Sequence, residues 1–239
     1  MMKSKTCLVK PGMAIRRQKL VKYLSSLILE GHSGKPFRVG IDGIDASGKT
    51  RLSNELADEL KCSGRQTIRA SVDGFHNPKE LRYRRGRTSP EGYFHDSFDN
   101  QAIVNNILAP LGPKGALKIK TAIFDFRTDA VVDAPIITAK ADTILIMEGV
   151  FLFRPELVDY WDLKIFLDVD FATSISRAVK RDQYCLGDEE SIRKMYEERY
   201  IPGQMLYFST SNPKERADII IDNNDFQKPG LVLLSSKRL

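Results

Sequence analysis

The sequence predicts a doubly wound α/β fold, a parallel sheet with helices packed on both faces. Three observations carry this expectation. The runs 36–42, 142–148, 163–170 and 217–222 are continuously apolar, as strands buried on both faces must be. Helical spacings of Leu and Ile separate them, the alternation that produces parallel strands. The first run also feeds a glycine-rich loop that opens a helix.

Composition narrows the class further. The chain has 239 residues, 42% hydrophobic and 28% charged, which excludes collagen-like, coiled-coil and wholly disordered proteins. Cys7, Cys62 and Cys185 are far apart and form no C-x-x-C. They argue against a disulfide framework or a zinc site and for a reducing cytosol. No apolar run approaches the ~18 residues of a membrane span, so a cytoplasmic protein without a membrane partner is expected.

The formal net charge of +6 belongs to one segment, because residues 1–40 carry nine Lys or Arg against the lone acid Glu30. Three readings compete for it: a solvated helix face, a phosphate-attracting patch, or an organellar presequence. Leu20, Val21, Leu24, Leu27 and Ile28 form one helical stripe, which favours residues 1–35 as a basic amphipathic helix packed on the body. The main domain is then expected over 36–230, with a tail at 231–239.

Within the main domain, the strand 36–42 is followed by a helix through Leu52, Leu56 and Leu60 that stops near Gly64. A second strand is expected at 66–73. Residues 74–99 are rich in Arg, Pro, Gly and aromatics without a clean period, as an ordered functional loop would be. A helix near 99–108 and a strand or hairpin at 118–126 follow. Strands at 142–148 and 163–170, helices at about 171–186 and 188–200, and a last strand at 217–222 complete the chain.

Residues 43–50 read GIDASGKT, a full G-x-x-x-x-G-K-[ST] match between a strand and a helix. In such a loop the glycines let backbone N–H groups curl around phosphates, and the helix N-terminus adds its positive dipole end. Gly43, Ile44, Asp45, Ala46, Ser47, Gly48, Lys49 and Thr50 are therefore the expected ATP-binding residues. Lys49, read as lying on an exposed loop, would reach the β- and γ-phosphates, and Thr50 would hold Mg²⁺. No N-K-x-D base reader of GTPase switches is present, and the acidic strand 142–148 ends in Met147–Glu148 rather than Asp-Glu. A lone acid there suits phosphate transfer to something other than water.

Carboxyl ends of parallel strands share one edge, where ligands bind. Lys49, Thr50, Asp73 and Glu148 should converge there, with Asp73 as the base accepting a hydroxyl proton and Glu148 ordering Mg²⁺. Arg177 and Arg181 lie four apart in SRAVKRD, so a lid helix could close them over the triphosphate. Arg199, in YEERYIPG, is a third basic candidate.

The strings GIDASGKT, DGFHNPKELRYRRG, SPEGYFHDSFD, MEGVFLFRPEL, WDLKIFLDV, SRAVKRD, RYIPGQMLYF and ADIIIDNND resemble the uridine kinase, phosphoribulokinase and pantothenate kinase family of phosphate-loop kinases over about 37–230. The resemblance implies a three-layer fold with a five-stranded parallel sheet, an acceptor-binding insertion at 74–130 and a lid at 171–208. It implies ATP as co-substrate with Mg²⁺, and a small-molecule hydroxyl acceptor such as uridine. Phe75, His76, Tyr93, Asp125 and Arg199 then fall on the acceptor side, with Asp73 the base and Arg181 the lid arginine. A pantothenate- or sugar-type acceptor, or a nucleotide-binding regulator, stays open; nucleic acid is not expected and a homo-oligomer is left open.

Departures from the family pattern matter. Tyr93 stands where uridine kinases carry the aspartate that grips the ribose, which leaves Asp96, Asp99 or Asp125 to supply that grip. Phe124 and Asp129 replace the base-reading Tyr and His. Ala178 follows Arg177, and Leu186 and Asp188 replace an arginine pair.

Overall fold

The computed structural model describes residues 13–31, 34–183 and 188–234. Expectations concerning Cys7, Cys185, Leu186 and the lysines before residue 13 fall outside them. Seven strands form the main sheet: β1 (Met13–Ala14), β2 (Phe37–Gly43), β3 (Thr67–Ser71), β4 (Ile144–Glu148), β5 (Leu163–Asp168), β6 (Ile219–Asp222) and β7 (Gly230–Leu234). Their order is β1-β7-β6-β5-β2-β4-β3. The five strands from β6 to β3 are parallel, while β7 and β1 add to the edge antiparallel.

Both faces of the parallel strands are buried. In β4, Ile144 and Ile146 pack on one side with Leu24, Leu52 and Leu56, and Leu145 and Met147 pack on the other with Phe75, Phe151 and Tyr207. Side chains of a strand point alternately to opposite faces, so continuous apolar sequence is what two covered faces require. Helices α1 (Arg17–Gly31) and α2 (Lys49–Lys61) cover the first face. Leu20, Leu24 and Ile28 are fully buried, each contributing about 1.5–3 kcal/mol by leaving water.

Several boundaries differ from the sequence reading. The second strand stops at Ser71, because the Ser71 hydroxyl accepts from the Asp73 amide and starts the 3-10 turn Val72–Phe75. Residues 118–126 do not form one hairpin. Lys118–Ile119 pairs with Ile137–Thr138, and Phe124–Asp125 with Ala130–Val131. Between them the amides of Lys120 and Ile123 donate to Asn106 O and Gly74 O, so loops satisfy the backbone. Residues 231–234, expected in a tail, belong to β7.

Helix α3 (Pro90–Asp96) lies in the 74–99 segment, and α4 is Phe171–Asp182. The helix read as ending at 200 instead passes through a π-helical turn, Tyr196–Tyr200, into α5 (Ile201–Ser211). Pro202 reads as a stop, yet it directly follows the π-helical turn, the local widening of the ladder that lets the helix continue past a residue without an N–H. No helix among the described residues is long and apolar enough to cross a membrane.

Candidate active site

The central strand β2 has β4 on one side and β5 on the other, so its carboxyl end is the point where chain connections diverge and ligands bind. The loop 43–50 starts there. Gly43 (φ 150°) and Gly48 (φ 95°) take backbone angles that side chains avoid. A Cβ on Gly43 would lie 2.6 Å from Leu167 O, and one on Gly48 would lie 2.8 Å from Asn223 Nδ2. Lys49 is 8% exposed, not on an exposed loop as expected. Its Nζ donates to Ile44 O (2.6 Å), Gly43 O (3.0 Å) and, more weakly, Ser47 Oγ (3.4 Å). From behind, Asn223 Nδ2 donates to Ser47 O (2.7 Å), and Arg17 Nη1 in α1 donates to Asn223 Oδ1 (2.9 Å).

A second buttress was not anticipated. Asp42 is fully buried and accepts from the Tyr207 hydroxyl, the Gly43 amide (2.7 Å) and the Phe153 amide (3.2 Å). Its one signal in the sequence is a carboxylate at the buried end of the central strand. Burial pushes its pKa up to about 6, against the pull of these donors and of Lys49. Between about pH 4, where an ordinary Asp titrates, and pH 6 the folded protein keeps a proton that the unfolded chain has lost. Its stabilising contribution is therefore complete below about pH 4 and is lost as pH rises through 6, by roughly 3 kcal/mol. Asp42→Asn should flatten that part of the stability profile in urea titrations; an unchanged slope would exclude this role.

The two oxygen donors expected for a cation meet. Thr50 Oγ1 donates to Glu148 Oε1 at 3.2 Å, and Glu148 is 5% exposed. Burial raises the Glu148 pKa, and Asp73 adds to this against the pull of Lys49, Ser71 and Thr50. No group of three or more His, Cys, Asp or Glu that could hold a metal occurs among the described residues. A hydroxyl and one carboxylate nevertheless fit Mg²⁺, which keeps waters and substrate phosphates as most of its ligands.

Asp73 stands across from this pair on the 3-10 turn, with its side chain 58% exposed. Lost solvation in the cleft raises its pKa, and Asp45 raises it further, while Lys49, Arg181 and Arg127 oppose. Solvent at the open side tempers that shift. Arg127 was missed by sequence reasoning; it follows Phe126, over whose ring it lies. A separate recess of about 550 Å³, lined by Asn77, Phe98, Asp99 and Tyr160 among others, contains none of these groups.

The two lid arginines behave differently. Arg181 is 58% exposed and pairs with Asp182 (2.6 Å), which raises its pKa; Tyr196 and Asp45 also act on it in that direction. Its guanidinium is held by Asp182 through Nε and Nη2, within electrostatic reach of Asp45. Arg177 Nη2 donates instead to the carbonyls of Asn223 (2.7 Å) and Asn224 (2.9 Å), so it braces the loop behind Ser47.

On the acceptor side the expected residues separate. His76 stays near the base: its Nδ1 is 3.0 Å from Asp73 O, its ring packs on Phe98 and Phe126, and burial lowers its pKa to about 4. Asp125 lies on the short strand beside the Asp73 turn and accepts from the Arg127 amide (2.9 Å). Phe75 is 0% exposed and belongs to the core, a correction to the acceptor contact expected of it. Tyr93 does not face an open acceptor pocket either. It is 6% exposed and its hydroxyl donates to Asp45 Oδ2 at 2.5 Å.

Arg199 is corrected as well. At 3% exposure, its Nη1 donates to Arg87 O (2.9 Å) and Ser89 O (3.2 Å), with longer 3.5 Å contacts to Gly86 O and Arg82 O. It clamps the 82–89 loop rather than a ligand. Arg199→Ala should cost about 2–3 kcal/mol by orphaning these carbonyls, read from urea unfolding. Stability equal to the parent would refute the clamp.

Comparison with known proteins matches residues 39–228 to the phosphoribulokinase/uridine kinase family. Uridine-cytidine kinase B of Dictyostelium discoideum is 30% identical over 192 residues, 80% of this chain and 76% of that one. The uridine kinase of Ligilactobacillus salivarius is 26% identical over 217 residues, 87% and 95% of the two chains. The solved structure of a possible uridine kinase from Bacillus stearothermophilus has a TM-score of 0.66 at 23% identity, covering 84% of this chain and 96% of that one. The expected phosphate-loop kinase fold is the fold found.

Proposed function

The chain belongs to the phosphoribulokinase/uridine kinase family, and from that membership we propose that it transfers the γ-phosphoryl group of ATP to a hydroxyl of a nucleoside such as uridine. The observation that carries this reading is the meeting of Lys49, Thr50 and Glu148 opposite Asp73 at one sheet edge. In the transfer, the Asp73 carboxylate accepts the proton of the attacking hydroxyl. The hydroxyl oxygen bonds to the γ-phosphorus, the bond to the bridging β-oxygen breaks, and ADP leaves with that electron pair. The Lys49 ammonium exchanges its loop carbonyls for β- and γ-phosphate oxygens, and Arg181 approaches from the lid to share the transition-state charge. Thr50 and Glu148 would hold Mg²⁺, which when bound neutralises the phosphate oxygens. The scattered cysteines favour the reducing cytosol as the compartment.

An ADP-release screen over nucleosides, pantothenate and sugars, with Mg²⁺ and with chelator, tests the reading. Mg²⁺-dependent release stimulated by a pyrimidine nucleoside is expected. Stimulation by pantothenate or a sugar alone would move the acceptor class, and no stimulation by any hydroxyl compound would overturn phosphotransfer.

A further inference from the structure

The carboxylates expected to replace the missing ribose grip at position 93 each hold protein groups outside the phosphate loop. Asp96 is 4% exposed and bound by Arg84 (2.6 Å) and Arg85 (2.8 Å). Asp99 Oδ1 caps the Ala102 amide at 2.8 Å, and Asp125 Oδ1 holds the Arg127 amide. Asp129 binds the Lys79 amide (2.9 Å) and Arg82 (3.1 Å).

Asp45 differs from these in lying on the phosphate loop itself. Its Oδ2 accepts from Tyr93 Oη at 2.5 Å and from Gln204 Nε2 at 3.4 Å, and Gln204 also lies 3.3 Å from Tyr93 Oη. Among the described residues, no hydrogen bond reaches its Oδ1. The carboxylate is half-buried, and its charge acts on Asp73 and His76 on the acceptor side and on Arg181 and Tyr196 of the lid. It therefore lies within electrostatic reach of both base and lid. A carboxylate within a phosphate loop repels the triphosphate, so its presence calls for a compensating use. Tyr93 on α3 and Gln204 on α5 tether one oxygen toward their own side of the cleft. That leaves Oδ1, with its two lone pairs, to accept hydrogen bonds.

We propose that Asp45 is the acceptor-specificity residue of this protein, its carboxylate accepting hydrogen bonds from a vicinal diol of the acceptor in place of the acid absent at position 93. The tyrosine at 93 then acts as a positioning residue, holding Asp45 at the angle the diol needs. This inference rests on the nucleoside reading above.

The test is steady-state kinetics of parent, Asp45→Asn and Tyr93→Phe with uridine, 2′-deoxyuridine and 3′-deoxyuridine, with circular dichroism as the folding control. In the parent, removal of either hydroxyl should raise the acceptor KM by about 10- to 100-fold, the range for losing a hydrogen bond to a charged group. Asp45→Asn should raise the uridine KM by a similar factor and bring the deoxy analogues level with uridine in a variant that circular dichroism shows to be folded. Tyr93→Phe should raise the uridine KM less and keep the preference for the diol. A parent that uses nucleosides, with its deoxy discrimination surviving in a folded Asp45→Asn, would overturn the assignment of Asp45 alone. A parent inert toward every nucleoside would overturn the nucleoside reading and this inference with it. Should Asp45→Asn fail to fold, equal discrimination in Tyr93→Phe and a folded Asp45→Ser would decide in the same way.

Discussion

Lys49→Ala should lower turnover by at least 10²–10³-fold, the effect of removing one preorganised charge from a transition state. The ammonium is held among Gly43 O, Ile44 O and Ser47 Oγ, ready to meet phosphate oxygens without being gathered from solvent. Because Lys49 is buried, the alanine also leaves those loop carbonyls without their donor. The loop should loosen while the sheet, whose apolar faces are untouched, stays folded. Turnover in single-turnover assays and circular dichroism separate the two effects. Turnover near that of the parent would remove the basis for phosphotransfer altogether.

Asp73→Asn should cut kcat by about 10²–10⁴-fold, the range for general-base catalysis, with ATP binding changed little. The side chain is largely exposed and makes no hydrogen bond to the loop 43–50 among the described residues, so on the proposed mechanism its work is confined to the reacting hydroxyl. Its pKa is raised by lost solvation and Asp45 and held down by Arg127. Only the deprotonated carboxylate can take a proton, so the acid limb of kcat/KM should lie above that of an ordinary aspartate. Arg127→Ala removes a charge favouring the ionised form and should move that limb to higher pH. An immobile limb in that variant, or ATP affinity falling together with kcat in Asp73→Asn, would assign Asp73 to metal ordering or structure instead.

The parallel strands were legible because β4 is apolar from Ile144 to Met147 and β5 is apolar but for Lys164 and Asp168, a pattern that a doubly covered sheet hides. The loop 43–50 was legible because each residue type answers a demand of phosphate binding. Strand β1 was not, since two residues show no period, and β7 was not, since its edge partner β1 lies at the far end of the chain. Helix α5 was hidden by Pro202, which breaks a regular helix interior but here directly follows a π-helical turn.

At the site, residue type alone could not say where a long side chain ends. Arg199 looks like a ligand arginine in the sequence but finds carbonyls first. Tyr93 aligns with an acid and reaches another acid, Asp45. The buttresses Asp42, Asn223 and Tyr207 act through contacts across the fold that no local spacing encodes.

The link from Arg17 through Asn223 to Ser47 also fixes an order of events during synthesis. Arg17 and Asn223 are 206 residues apart, an interval of roughly 10–40 s at a translation speed of about 5–20 residues per second. Helices α1 and α2 leave the ribosome close together and can pair their Leu and Ile faces at once. The phosphate loop between β2 and α2 emerges with them, but the amide that steadies Ser47 arrives only when most of the polypeptide has been made. For that interval a nascent chain carries the loop's sequence without its rear support, which is completed only after nearly all of the protein has been translated.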